Sequence, residues 1–193
     1  MMYDNYFIVD IETCPINLEG YNNLEEEEKT KLINPIDSKI IALGIRYKNE
    51  NKIFMNEKEK EILSEFWNEW DKIKKENPSS IIVGFNIINF DLPFITSRSF
   101  IHNIKIIPFI LKLVIDLREK INAYRYGKTR GKLSDYGKLI GLDVLEMDGS
   151  KIAELCIEKN WDKLKEYLTK DLEITEELFK RAKETNILNI SRW

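Results

Sequence analysis

The sequence predicts an α/β fold in which a mixed sheet, its first three strands antiparallel, is flanked by helices. Three observations carry this. Strand-like segments come first, at residues 6–12, KIIALGIRY and NKIFMNE; helix and strand patterns then alternate; and everything after about residue 132 reads as helix.

Residues 6–12, YFIVDIE, end in the alternation Val-Asp-Ile-Glu and alternate well enough to be a strand. A polar connection from Pro15 to Ser38 follows, whose LEEEEKTKLI forms a short helix with the acidic run as its solvated face. The next two strands are joined by a turn around Asn49 to Asn51. From Glu57 to Asn77, Ile62, Leu63, Phe66, Trp67, Trp70 and Ile73 recur at helical spacing, and Pro78 ends the helix. SIIVGFN is a buried strand, DLPFITSRSF a helix, and part of IKIIPFILKLVIDL a last strand preceded by a short helix. KLSDYGKLIGL closed by Gly141, SKIAELCIEK, and a long segment from Trp161 to Lys183 complete the helices. With no repeat and no linker, residues 1–193 are read as one domain, a size that hides most of its apolar surface.

Asp10 and Glu12 lie two apart in FIVDIETCP and therefore project from one face of the first strand. Taken alone, such a pair is more often a polar strand exit. In the last helix Leu164, Leu168, Asp171, Thr175 and Leu178 form one stripe, which places a carboxylate among apolar positions. Burying an unpaired charge is costly, and a metal relieves that cost. Tyr167 lies one turn away on the same face. Asp91, ahead of Leu92 and Pro93, is explained as a helix cap, but Gly84, Phe85, Asn86, Asn89 and Phe90 upstream of it are not. Aromatic faces stack on bases and amides bond sugars or bases. Hard divalent cations prefer carboxylate oxygens, so the acidic set implies a metal-dependent nuclease.

The three segments together resemble the exonuclease motifs of the DEDD superfamily, in the tyrosine-type proofreading domain of family B DNA polymerases. FIVDIET resembles the first motif, GFNIINFDLPFI the second, and Tyr167-x-x-x-Asp171 the third; Glu166 stands where the histidine subtype would carry its histidine. KLSDYGKLIGL, MDGSKIAEL and EYLTKDLEITEELFKR are similar to stand-alone exonucleases related to that domain, so the likeness covers nearly the whole chain, with no polymerase domain following. The resemblance implies a ribonuclease H-like fold with a five-stranded mixed sheet. It also implies a 3′-5′ exonuclease acting on single-stranded 3′ ends, DNA in preference to RNA, with two divalent ions, Mg²⁺ or Mn²⁺. Asp10, Glu12 and Asp171 would hold one ion, Asp10 and Asp91 the other, and Tyr167 would position the attacking water.

Substrate contacts are assigned to Phe85, Asn86, Phe90 and the Thr13 amide, to Arg125, Lys128 and Arg130 in the basic and aromatic loop YRYGKTRGK, and to Lys151. For each, packing or solvation is the competing explanation. Asp116 is read as a support of local structure, Asp135, Asp143 and Asp148, near turns or helix starts, as caps or surface groups, and His102 receives no role.

Composition excludes several classes. The apolar runs are interrupted before the ~20 residues that span a bilayer, no leader is visible, and the chain is placed in the cytoplasm. Cys14 and Cys156 are too few for a disulfide framework and are read as reduced thiols. A net charge of −3 argues against a protein that coats nucleic acid, though not against an enzyme whose metals supply local positive charge. An exoribonuclease of the same fold and a non-catalytic nucleic-acid-binding subunit are the alternatives.

Overall fold

The computed structural model describes residues 3–125, 131–145 and 151–191. Strand β1 (Tyr6–Pro15) is the centre of a five-stranded sheet of order β3-β2-β1-β4-β5. It pairs antiparallel with β2 (Ser38–Tyr47), which pairs antiparallel with β3 (Glu50–Met55). On its other side it runs parallel to β4 (Ile81–Gly84), and β4 runs parallel to β5 (Val114–Asp116). The predicted mixed sheet with three antiparallel leading strands is what forms. The β2–β3 turn is Lys48 and Asn49, with φ of 51° and 65°. Both are left-handed, as a two-residue hairpin requires, so the turn sits just ahead of the predicted one and Asn51 already pairs with Arg46.

Helices cover both faces, and the alternation of β1 decides which residues meet which helix. Phe7, Val9 and Ile11 point into a core built with α2 (Glu59–Glu76) and α3 (Asp91–Ile101). There Trp70 packs edge-on against Phe7 at 4.9 Å and Phe66 at 5.5 Å between ring centroids, contacts each worth about 1 kcal/mol beyond the area they bury. Ile8 points the opposite way, into a second core with Leu172, Leu178 and Phe179 of the long helix that ends the fold. In chain order the remaining helices are α1 (Glu26–Lys31), α4 (Leu117–Ile121), α5 (Leu133–Leu139), α6 (Ile152–Ile157) and that long helix, α7 (Trp161–Glu184). Asn160 caps α7, its side-chain oxygen accepting from the Lys163 amide at 3.3 Å.

Cys14 and Cys156 are buried together as free thiols in a side cluster with Ala42, Leu164 and Leu168. His102, which the sequence left without a role, belongs to a buried polar knot: its Nε2 lies 2.7 Å from Glu59 Oε2. Arg98 donates to the same carboxylate at 2.9 Å and to the Pro35 carbonyl at 3.1 Å, while the Ile40 amide donates to Glu59 at 2.7 Å. The knot ties α2, α3 and the end of the Pro15–Ser38 connection together. Among the described residues, no helix is long and apolar enough to cross a membrane.

Candidate active site

On the face of β1 toward α7, Asp10 and Glu12 follow Ile8. The β1–β2 register slips between Glu12 and Thr13, and such a bulge bends a strand where its side chains leave the sheet. Helix α7 lies across this exit on Leu164, Leu168 and Leu172, all with 0% exposure. That docking carries Asp171 over β1, and one carboxylate oxygen each from Asp10, Glu12 and Asp171 falls within 4.8 Å of the others. The stripe read from the sequence is thus the apolar seam that aims the carboxylate. Tyr167, one turn before Asp171 on α7, lies close enough to feel the Asp171, Glu12 and Asp10 charges, so both α7 residues converge on one point.

Asp91 does not cap its own helix by its side chain: the residue before α3 is Phe90, which makes no side-chain cap. The buried Asp91 carboxylate instead reaches across to β1 and accepts from the Ile11 amide at 3.1 Å. This corrects the simple capping explanation. Its other neighbour is Asp10, close enough that the Asp91 charge is the strongest of those acting on it. Asp10 is therefore the junction between the triad and Asp91.

Without a cation, four crowded carboxylates resist ionisation. Burial, then the charges of Asp91, Asp171 and Glu12, holds Asp10 well above the usual carboxylate range. Burial, with Asp171 and Asp91, does the same to Glu12. Burial pushes Asp91 up to about 7 and Asp171 up to about 7. Tyr167 is also raised, by burial and then by the Asp171, Glu12 and Asp10 charges, and stays protonated. All-oxygen donors under this mutual repulsion fit hard divalent cations, which would take the place of the protons.

Beside the triad opens a cleft of about 320 Å³ lined by Phe85, Asn86, Phe90, Arg118, Lys132, Ser134, Tyr167 and Asp171. The Phe85–Phe90 segment is held in place by Asp116, which accepts from the Asn86 amide at 3.0 Å and the Ile88 amide at 3.1 Å. This is the local support the sequence suggested for it. Asn86 has a left-handed φ of 63°, a conformation asparagine tolerates.

The structure thus gathers Phe85, Asn86 and Phe90 at the site. Thr13 sits half-buried at the bulge, whereas Arg125 and Lys151 are exposed and do not line the cleft. Lys128 and Arg130 lie outside the described residues, as does Asp148. Asp135 accepts from the Lys132 amide at 2.8 Å, and the exposed Asp143 meets Lys170. The sequence reading missed Arg118 and Ser134. Arg118 follows Asp116 by two positions, and only the seating of α4 behind the loop brings it to the cleft.

A central strand bearing two carboxylates, met by one carboxylate from a helix start and another from a terminal helix, defines a ribonuclease H-like domain of the acidic, metal-binding kind. The sequence narrows this further. Residues 12–153 match the family model described as DNA polymerase family B, exonuclease domain, and the chain belongs to that family. An uncharacterized protein of Methanocaldococcus jannaschii is 39% identical over 166 residues, covering 79% of this chain and 90% of that protein. DNA polymerase 120R of Invertebrate iridescent virus 3 is 31% identical over 88 residues, 45% of this chain but 7% of the viral protein. The family B DNA polymerase from the hyperthermophilic archaeon Pyrobaculum calidifontis has the same fold over 94% of this chain, with a TM-score of 0.70 at 16% identity. This chain spans 25% of that polymerase's length.

Proposed function

We propose that residues 1–193 act as one unit, a 3′-5′ exonuclease that removes nucleotides from single-stranded 3′ ends, DNA in preference to RNA, using two Mg²⁺ or Mn²⁺ ions. The observation that carries this is the convergence of Asp10, Glu12 and Asp171, with Asp91 beside Asp10 and Tyr167 facing the same charges.

Asp10, Glu12 and Asp171 would hold one ion, and Asp10 and Asp91 the other. Bound cations supply Lewis acidity to the phosphoryl group and to the attacking water. The protonated Tyr167 hydroxyl, beside Asp171 at the cleft wall, orients that water. Phe85 and Phe90 offer ring faces to the terminal bases, and Asn86 an amide. Thr13 contributes its amide to the 3′ end, Arg125 and Lys151 serve the incoming strand from outside the cleft, and Lys128 and Arg130 serve the same strand.

The test is digestion of 5′-labelled single-stranded DNA and RNA with Mg²⁺, Mn²⁺ or EDTA, comparing native protein with Asp10→Ala and Asp171→Ala. A metal-dependent ladder shortening from the 3′ end, absent in both variants, is expected. Faster RNA cleavage would reassign the substrate, and binding without cleavage of either would overturn the enzymatic reading.

A further inference from the structure

Gly44 lies on β2 directly opposite Asp10 of β1. A glycine inside a strand weakens it, and usually marks a place where another element comes close. Here the approaching element is α7. A Cβ at position 44 would stand 2.7 Å from Leu172 Cδ1, 3.2 Å from Ile53 Cδ1 and 3.3 Å from Leu168 Cγ. Leu168 and Leu172 immediately follow Tyr167 and Asp171 in the helix, so the two leucines that rest over Gly44 flank the two α7 residues at the site.

We infer that Gly44 is a positioning residue: its missing side chain sets how closely α7 approaches the β1–β2 pair, and so sets the separation of Asp171 from Asp10 and Glu12. The inference rests on the metal-dependent reading of the site. Carbon atoms in contact settle near ~3.5–4.0 Å, so a methyl at 44 leaves Leu172 roughly 1 Å too close. Leu172 and Leu168 are both 0% exposed and belong to the apolar cores beneath α7. Some of the misfit is absorbed by turning the Leu172 side chain, and the rest moves the helix. Metal–oxygen distances tolerate only about ±0.2 Å. A helix shift of even part of that misfit is therefore felt at the ligand oxygens before it is felt in the fold.

The experiment compares native protein, Gly44→Ala, Leu172→Ala and the double variant. Mn²⁺ affinity is measured by calorimetry, with thermal unfolding in EDTA and cleavage rate at saturating metal. Gly44→Ala is expected to weaken Mn²⁺ binding about tenfold or more, with the cooperative unfolding transition retained. In the double variant the trimmed side chain admits the methyl, and affinity should return toward that of Leu172→Ala alone.

Native-like Mn²⁺ affinity in a folded Gly44→Ala would overturn the inference, as would weakening that Leu172→Ala does not relieve. Should Gly44→Ala fail to fold, the double variant still decides: Mn²⁺ affinity matching Leu172→Ala supports the spacer role, and weaker affinity refutes it. Absence of Mn²⁺ binding by the native chain would instead defeat the functional reading itself, a result distinguishable from all of these.

Discussion

Asp91→Asn should stabilise the metal-free protein at neutral pH, although it removes a charged group from the site. The amide oxygen keeps an acceptor for the Ile11 amide that Asp91 now receives at 3.1 Å, while a carboxyl that burial and the Asp116 charge hold back from ionising becomes a permanently neutral group. A carboxyl whose folded pKa exceeds its unfolded value binds its proton more tightly in the folded state. Its favourable contribution is complete below the unfolded value of 3.8 and is lost as pH rises through the folded value of about 7. At 1.36 kcal/mol per pH unit, the gap between them corresponds to about 4 kcal/mol as an upper bound, or roughly 10 °C in Tm for a chain of this length. The assay is thermal unfolding in EDTA from pH 5 to 8, above the range where the salt-bridged Glu59 and Glu176, both lowered, would titrate. Native Tm should fall across this window, and the Asp91→Asn curve should be flatter, crossing above the native one near neutrality. Saturating Mn²⁺ should raise native Tm at pH 8 and do much less for the variant. A native Tm that does not fall, or an Asp91→Asn Tm below native at pH 8, would refute the account of repelling carboxylates.

Three further outcomes follow from the geometry. Tyr167→Phe should lower the cleavage rate about 100-fold, the scale of losing one hydrogen bond made at the reacting centre, while calorimetry still detects Mn²⁺ binding. Gly84→Ala would put a Cβ 2.6 Å from Ile87 Cβ, an atom that cannot swing aside; a loss of about 2 kcal/mol by urea unfolding and weakened single-strand binding are expected from displacement of the Phe85–Phe90 segment. Arg98→Met leaves the buried Glu59 carboxylate with only His102 and an amide, and should destabilise by about 3 kcal/mol. Its cleavage rate per folded molecule should remain native, because the knot lies away from the carboxylate triad.

The fold was legible wherever one periodicity dominated. The alternation of residues 6–12 and the helical spacing of Ile62 to Ile73 each correspond to an element, because burial on a defined face enforced both patterns. The acidic set was legible for a related reason: Asp171 interrupts a stripe whose other members are buried. What a linear reading could not supply was partner identity. Asp91 has the context of a cap, yet its acceptor is used by a strand distant in sequence. His102 carries no local signal, since Glu59 and Arg98 reach it from other elements. Gly44 looks like an ordinary strand residue until α7 is in place above it. The basic loop drew attention through composition alone, and of its described residues Gly131 and Lys132 line the cleft.

The four carboxylates come from three widely separated stretches of the chain, and Asp91 is held by the backbone of β1 rather than by its own helix. A partly synthesised chain that lacks α7 lacks Asp171 and Tyr167, and one whose sheet has not closed has no Ile11 amide presented to Asp91. On the proposed function, hydrolysis therefore requires the finished tertiary structure. A nascent chain that has not yet folded is expected to leave the nucleic acid around it intact.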